Sequence, residues 1–437
     1  MDNFTLYALA HAGEGGGEPA IVTNPALRLM DWEGTVLKEY TAEQVASLTA
    51  LPNPSSLRAD VDRDLLAFQG YNWSVSDIKS WVNTHEGECL TVGAIYTTTD
   101  GQDHTYRNNP RIDTSESVSM LKKGTTSIGN NAFKNCYSLT NVNIPDSVTS
   151  IGSNAFDSCT SLTSINIPEG VTSIGSYAFN YCTSLTSINI PEGATSIGDH
   201  TFKNCYSITS VNIPDGVTSI GSYAFDSCTS LTSINIPEGV TSIGSYAFYN
   251  CYSLTSINIP DSVTSIGSYA FYNCTSLTSI NIPEGVTSIG SNAFNSCTSL
   301  TNVNIPDSVT SIGSSAFYNC YSLTSINIPE GVTSIGDNAF NNCYSLTSIT
   351  IPEGVTTIGD SAFSGCSCLT DIVIKGNPDL ANANAFSNIY SGYLIYVPRA
   401  KLSWYSTATN WTTLYNNNKI VAIEDNIEYL ESIGIDV

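Results

Sequence analysis

The sequence is poor in charge, above all in positive charge. Only 12% of its 437 residues are charged, and 15 Lys and Arg face 39 Asp and Glu, which gives a net charge of −24. Because phosphate groups are bound by clustered Lys and Arg, nucleic acid and anionic membrane surfaces are not expected as partners. No run of about 18 apolar residues occurs, so membrane insertion is not expected. The start, Met1 to Thr5, has no basic and apolar segments, so no Sec signal peptide is predicted.

The sequence also lacks a recognisable catalytic constellation. It has four histidines, which lie apart in the chain: His11, His85, His104 and His200. Neither G-x-S-x-G nor H-E-x-x-H occurs, and no pair of acids stands out for hydrolysis. We therefore expect a protein that is not an enzyme and has no cofactor.

What the sequence has is one repeat of 23 residues, from about Val118 to Pro398. Phe recurs at this step from Phe133 to Phe363, and Cys recurs from Cys136 to Cys366. A unit of 23 residues cannot bury its many apolar groups by itself. Stacking unit on unit forms a continuous core, so the repeat predicts a solenoid.

Each unit has three parts, which the unit at residues 161–183 illustrates. Leu162-x-x-Ile165-x-Ile167 has the period-two spacing of a short strand, which Pro168 ends. A second extended piece covers Val171 to Ile174. The spacing of Ala178, Phe179 and Cys182 then suits one helical turn that returns the chain to the next unit.

The pattern L-x-x-I-x-I-P-x-x-V-x-x-I-G-x-x-A-F-x-x-C resembles the BspA-type leucine-rich-repeat family over about residues 118–398. Tyr396-Val397-Pro398 and the Trp-containing segment after it resemble the caps that follow such arrays. The resemblance implies an α/β repeat fold, a leucine-rich-repeat solenoid of about 12 turns with a small N-terminal α/β module and a C-terminal cap. It also implies an exposed binding or adhesion role without catalysis, on a cell surface.

Composition divides the chain into four parts. We predict an N-terminal arm at 1–40, a small α/β attachment module at 41–115, the solenoid at 116–398 and the C-terminal cap at 399–437. This module resembles small modules joined to repeats in bacteriophage tail proteins and bacterial surface proteins. It is therefore expected to attach the array to a larger particle.

Local signals support elements within the module. Thr41 and Gln44 form a capping-box pattern at a helix start. Residues 65–68 and 76–82 suggest a strand and a helix, and Asp100-Gly101 suggests the turn of a hairpin.

Tyrosines cluster where the repeat varies. Tyrosine offers a large, rigid, amphipathic contact area that suits binding surfaces. The candidate ligand-binding tyrosines are Tyr246, Tyr249, Tyr252, Tyr269 and Tyr272. The alternative is that these rings stack side by side and shield the core.

Outward strand positions carry a row of Asn, flanked by Ser and Thr. The candidates on this row are Asn235, Asn258 and Asn281. Such a uniform polar surface suits a repetitive ligand such as a glycan polymer, engaged with avidity. The alternative is that these are merely solvent-facing positions of near-identical units.

Two further columns have chemical interest. An acid follows each turn proline in ten units, which predicts a solvated edge, with Glu238, Asp261 and Glu284 as weak Ca²⁺ candidates. The eleven cysteines of the repeat carry no accompanying His and no C-x-x-C, so buried thiols are favoured over disulfides or metal ligands.

The sequence thus predicts a non-catalytic recognition or adhesion protein that presents a repetitive surface to a cell-surface glycan or protein. The alternatives are a bacteriophage tail component that recognises a host and a purely structural spacer. The expected location is extracellular, on a cell surface or on a virion.

Overall fold

A computed structural model describes residues 27–30, 36–52, 66–71, 75–84, 90–98, 103–104, 126–137, 139–142 and 144–435. The chain divides into two compact units, residues 1–103 and 104–437. Each is described by itself. No helix in the described ranges is long and apolar enough to cross a bilayer.

The N-terminal unit contains two helices and a sheet. The strands are Leu27–Met30, Val36–Tyr40, Leu66–Tyr71, Leu90–Thr98 and Asp103–His104, and the helices are Ala42–Ser47 and Val75–Thr84. In the sheet, Leu27–Met30 lies between Val36–Tyr40 and Leu90–Thr98, and the latter also pairs with Leu66–Tyr71.

The local sequence signals of this unit are confirmed where they can be compared. The backbone N–H of Gln44 donates to Thr41 Oγ1 at 3.3 Å, and that of Thr41 donates to Gln44 Oε1 at 2.8 Å, which completes the capping box. The predicted strand is present as Leu66–Tyr71 and the predicted helix as Val75–Thr84, and Asp103–His104 pairs with Leu90–Thr98. The proposed turn at Asp100-Gly101 lies outside the described residues. The sheet also includes two strands N-terminal to residue 41.

The C-terminal unit is a parallel β-solenoid of about 13 turns. In each coil the chain forms a first side that carries the sequence Ser-Ile-Asn, a corner after the proline, a second side that carries Ser-Ile, and a third side that returns. Strands of the first side are Ser187–Asn189, Ser210–Asn212, Ser233–Asn235, Ser256–Asn258, Ser279–Asn281, Asn302–Asn304, Ser348–Ile351, Asp371–Ile374, Leu394–Val397 and Ile420–Ala422. Strands of the second side are Ser127–Ile128, Ser150–Ile151, Ser173–Ile174, Ser219–Ile220, Ser242–Ile243, Ser265–Ile266, Ser288–Ile289, Ser311–Ile312, Ser334–Ile335, Thr357–Ile358 and Asp379–Leu380.

Neighbouring coils are in register at one repeat length. Ile234 pairs with Ile257 on the first side and Ile243 with Ile266 on the second, each 23 residues apart. The alternation of exposed and buried residues along each strand places every Ile inside. The predicted strand segments and their spacing are therefore confirmed.

The third side differs in detail from the helical turn that the spacing suggested. Its backbone forms consecutive turns in which N–H groups donate to the carbonyl three residues earlier, such as Ala178 N to Gly175 O at 3.2 Å and Cys182 N to Phe179 O at 3.2 Å. Tyr177 and Tyr181 have φ angles of 60° and 56°, in the left-handed region. Residues in that region interrupt an α-helix, which is why the returning segment is a series of turns.

The core is a set of parallel ladders. Leu, Ile, Val, Ala, Phe and Cys of successive coils are almost fully buried. The Phe rings stack from Phe133 to Phe386, with centroid separations between 5.0 Å and 5.7 Å. Each coil thus covers the apolar groups of the one before it.

The C-terminal cap ends these ladders. Trp411 is fully buried, packs at 6.0 Å against Phe386 and donates its indole N–H to the carbonyl of Pro378 at 2.8 Å. The Tyr405 hydroxyl donates to the carbonyl of Gly376 at 2.7 Å. The cap contains 3₁₀ helices Arg399–Lys401 and Ile423–Asp425 and α-helices Leu402–Tyr405, Thr412–Asn416 and Ile427–Ser432; a further 3₁₀ helix, Ala383–Phe386, precedes it.

One glycine column sets how closely the coils approach. A Cβ on Gly267 would lie 2.4 Å from the backbone nitrogen of Ser245 in the preceding coil. We predict that Gly267→Ala lowers the free energy of unfolding by about 1–3 kcal/mol, because the backbone of two coils would have to separate. Guanidinium unfolding followed by circular dichroism measures this.

Gly170→Ser is the matched control. Its Cβ would be 3.3 Å from the nearest atom, and Ser262 occupies the same column four coils on, where its hydroxyl donates to Val240 O at 2.7 Å. Equal losses for both variants would contradict the close-approach argument.

Candidate functional site

The third side carries the aromatic side chains of the solenoid. There, Ala247 and Phe248 point into the core, while Tyr246 on one flank is partly exposed with φ of 60°. Backbone bonds to the next coil fix this geometry: Tyr246 N donates to Ser268 O at 3.0 Å and Phe248 N to Ala270 O at 2.8 Å. Side chains at the same position in successive coils are consequently superposed.

The first tyrosine row, row A, is a continuous stack in the column before Ala-Phe. Its members are Tyr177, His200, Tyr223, Tyr246 and Tyr269. Successive ring centroids are 4.1–4.5 Å apart and the rings are within 8° of parallel. Each inner ring is therefore covered on both faces, and only its edge is available to a ligand.

The second row, row B, is the column after Phe. Tyr249 and Tyr272 stack at 4.8 Å, and each also contacts row A, since Tyr246 and Tyr249 are 5.4 Å apart and Tyr269 and Tyr272 are 5.7 Å apart. Four of the five candidate tyrosines thus form one packed cluster. The stacking that the sequence left open as an alternative is present for these four.

The third row, row C, is the column after Cys and is the most exposed. Its tyrosines are between 37% and 45% exposed: Tyr137, Tyr206, Tyr252, Tyr321 and Tyr344. Tyr321 and Tyr344 stack on each other at 4.9 Å. In the described part of the chain, no aromatic ring stacks on Tyr206 or Tyr252, because the neighbouring coils carry Thr in this column.

The lysines on the third side are paired with carboxylates, while Asp199 and Asp337 accept from backbone N–H groups of the next coil. Lys134 contacts Asp157 and Lys203 contacts Asp226, each at 2.9 Å, and both carboxylates are buried. Lys203 Nζ also lies 4.8 Å above the ring of Tyr223. Between residues 124 and 374 the sequence has two lysines, and both are therefore engaged with carboxylates.

The other candidate residues occupy different parts of the coil. Asn235, Asn258 and Asn281 are exposed on the first side. The amide of Asn281 already accepts from Asn304 Nδ2 at 2.8 Å, so part of this row bonds to itself. The structure therefore brings the tyrosines together on one side and leaves the asparagines on another.

The acid candidates form a single file at the corner after the proline. Glu238, Asp261 and Glu284 are exposed, one in each coil. Among the described residues, no group of three or more His, Cys, Asp or Glu is arranged to hold a metal ion.

The cysteine column forms a ladder of buried thiols, as predicted. Ten of these thiols donate to the carbonyl of a Phe 26 residues earlier; Cys251 Sγ, for example, is 3.2 Å from Phe225 O. The eleven cysteines from Cys136 to Cys366 are buried thiols without disulfide bonds between them, and Cys368 is exposed. Burial raises the pKa of the Cys205 thiol to about 12.

The coils define a solenoid of leucine-rich repeats. The family model for the BspA type leucine rich repeat region matches in six copies over residues 113–231, 195–320 and 287–414. The chain belongs to this family.

Two solved structures illustrate the similarity. A leucine-rich repeat protein from Bacteroides ovatus is 25% identical, with a TM-score of 0.55, over 83% of this chain and 100% of that one. A leucine rich cell surface protein from Faecalibacterium prausnitzii is 31% identical, with a TM-score of 0.44, over 72% and 96%. No curated protein matches the sequence.

Burial of the cysteines leads to a prediction about thiol reactivity. In a Cys89→Ser variant at about pH 8, we expect only Cys368 to react rapidly with a thiol reagent, because buried thiols resist ionisation. Absorbance of the released thiolate counts the reactive groups. Cys368→Ser is the control and should remove the rapid phase; several rapid thiols in the native protein would contradict the buried ladder.

His200 gives a second prediction, on pH dependence. It is stacked between Tyr177 and Tyr223, and burial together with the nearby Lys203 lowers the pKa of its imidazole, against the opposite effect of Asp199 and Asp226. A lowered pKa means that the folded state disfavours the imidazolium. Its contribution to stability is therefore complete above the unfolded pKa of about 6.5 and is lost as pH falls through the folded pKa.

The comparison is with His200→Tyr, which restores the residue type of the rest of row A. We expect the melting temperature of the wild type to fall relative to this variant as pH decreases below about 6.5. Parallel pH profiles for the two proteins would show that the stacked imidazole does not titrate in this way.

Proposed function

We propose that the protein is a non-catalytic recognition protein that acts outside the cell, at a cell surface, and binds a surface glycan or protein through the third side of its solenoid. The observation that carries this proposal is the aromatic cluster of rows A, B and C on an otherwise Ser-, Thr- and Asn-rich surface. Tyrosine clusters of this kind provide contact area at little entropic cost.

Three properties of the array support binding over catalysis. The third side is rigid, because its backbone is bonded to both neighbouring coils. Its two ion pairs engage Lys134 and Lys203, and the carboxylates of Asp199 and Asp337 accept from backbone N–H groups of the next coil, so these ionised groups already have partners within the array. Membership of a family of repeat proteins agrees with a surface that binds by shape and repetition.

The test uses the full chain, labelled with a fluorophore, on intact bacterial and host cells and on arrays of glycans and proteins. We expect saturable binding that falls roughly tenfold when Tyr249, Tyr252 and Tyr272 are replaced together. The replacements are Tyr249→Asn, Tyr272→Asn and Tyr252→Thr, because Asn295 and Thr275 occupy the corresponding columns and preserve the fold.

Tyr390→Ala is the matched control, since Tyr390 is 51% exposed but lies outside the three rows. Binding that survives the triple replacement would place the site elsewhere on the molecule. An absence of binding to every cell and array would favour a structural spacer instead. Binding restricted to one bacterial host would identify a bacteriophage role.

A further inference from the structure

The tyrosines of the third side differ in whether the faces of their rings, and not only the edges, are accessible to a ligand. A pyranose ring packs its C–H groups against the electron-rich face of an aromatic ring. In row A the inner rings are covered on both faces by neighbours at 4.1–4.5 Å, and in row B Tyr249 and Tyr272 cover one face of each other at 4.8 Å. Tyr206 and Tyr252 are about 40% exposed and carry no stacked ring in the described structure. The ring faces of these two tyrosines are therefore accessible to a ligand.

The neighbours of these tyrosines present hydrogen-bond acceptors. In the coils on either side of Tyr252 the same column holds Thr229 and Thr275. The Thr275 hydroxyl donates to the carbonyl of Tyr252 at 3.3 Å, and that of Thr229 donates to the carbonyl of Tyr206 at 3.2 Å. Because these protons are directed at the backbone, the remaining lone pairs of both hydroxyls can accept from a ligand hydroxyl.

The third side around Tyr252 is also free of net charge. The acids between Asp226 and Asp337 all lie at the corner after the proline: Glu238, Asp261, Glu284, Asp307 and Glu330. No Lys or Arg occurs in this stretch, and Asp226 itself is paired with Lys203. The third side between Asp226 and Asp337, which includes Tyr252 but not Tyr206, therefore spans about five coils without an unpaired ion.

This distribution of charge selects among ligands. A net charge of −24 repels polyanions such as uronate, sulfated or phosphate-bearing chains. A protein partner that recognises an acidic protein does so by pairing its own Lys and Arg with carboxylates. The third side near Tyr252 has no unpaired carboxylate for such contacts. An uncharged chain of sugars incurs neither cost.

We infer that the third side binds an uncharged polysaccharide, with sugar rings packed on the faces of Tyr206 and Tyr252. This inference rests on the proposed recognition function and specifies its ligand class. The two tyrosines are two coils apart, which corresponds to about 10 Å at the strand spacing. The site therefore takes a chain that crosses several coils, and a monosaccharide occupies only one platform.

The experiment is affinity gel electrophoresis and calorimetry of the full chain with soluble polysaccharides. The uncharged probes are a β-1,3-glucan, an α-mannan and a galactan, and the anionic probes are alginate and chondroitin sulfate. We expect at least one uncharged chain to bind and to remain bound in about 0.5 M NaCl, because no ion pair contributes. The anionic chains should not bind.

Three variants assign the contact. Tyr206→Thr together with Tyr252→Thr should weaken binding roughly tenfold, whereas Tyr252→Phe, which keeps the ring face, should keep the affinity of the wild type within about threefold. Tyr390→Ala removes an exposed ring outside the three rows and should also stay within about threefold. Circular dichroism and melting temperature verify that each variant is folded.

The outcomes separate this inference from the broader function. Binding to cells or proteins without binding to any uncharged polysaccharide would overturn the ligand class and leave the recognition role standing. Preference for the anionic probes, loss of binding in salt, or full affinity in the double Thr variant would also overturn it. Failure to bind cells, proteins and glycans alike would overturn both proposals.

Discussion

Backbone hydrogen bonds between residues 22 or 23 positions apart hold each coil at a fixed height above the one before it. They occur on all three sides of the coil, as between Thr264 and Thr241 on the second side and between Tyr246 and Ser268 on the third. The glycine column permits this close approach, and the Phe ladder fills the space inside it. Because every coil repeats the same spacing, any residue type that recurs in a column becomes a row of side chains in contact.

What the surface can bind therefore depends on which residues occupy the same column in the adjacent coils, as well as on the residue type itself. Where tyrosine fills adjacent coils, as at Tyr246 and Tyr269, the rings cover each other and contribute to stability. Where threonine separates them, as around Tyr252, the ring faces stay available. The few differences between near-identical repeats therefore determine any ligand specificity of the array.

Much of the fold could be predicted from the sequence, because the signals are local or strictly periodic. The 23-residue step, the strand at Ile165 and Ile167, the buried thiols and the capping box at Thr41 each depend on spacing alone. The third side was harder, since Tyr177 is an uncommon residue for the left-handed region and the signal lies elsewhere in its column, where Asn131, Asn154, Asn292 and Asn338 adopt the same conformation.

The candidate site was predictable as a region but not in its internal order. The tyrosine-rich edge is visible in the sequence, and so is the alternation of Tyr and Thr after each Cys. Which rings are covered depends on the neighbour 23 residues away in each direction, and on whether rows A and B touch, which only the coordinates show. A comparison of each tyrosine with the residues 23 positions before and after it would have identified Tyr206 and Tyr252.

The position of Trp411 has a consequence for assembly. A stack of parallel strands ends in a row of unpaired backbone groups and bare apolar rings, which is a template for another copy of the same chain. Trp411, turned 44° from the plane of Phe386 and bonded to Pro378, covers the last ring with a side chain on which a further Phe cannot stack in parallel. The cap thus closes the Phe ladder against a further parallel ring at its C-terminal end.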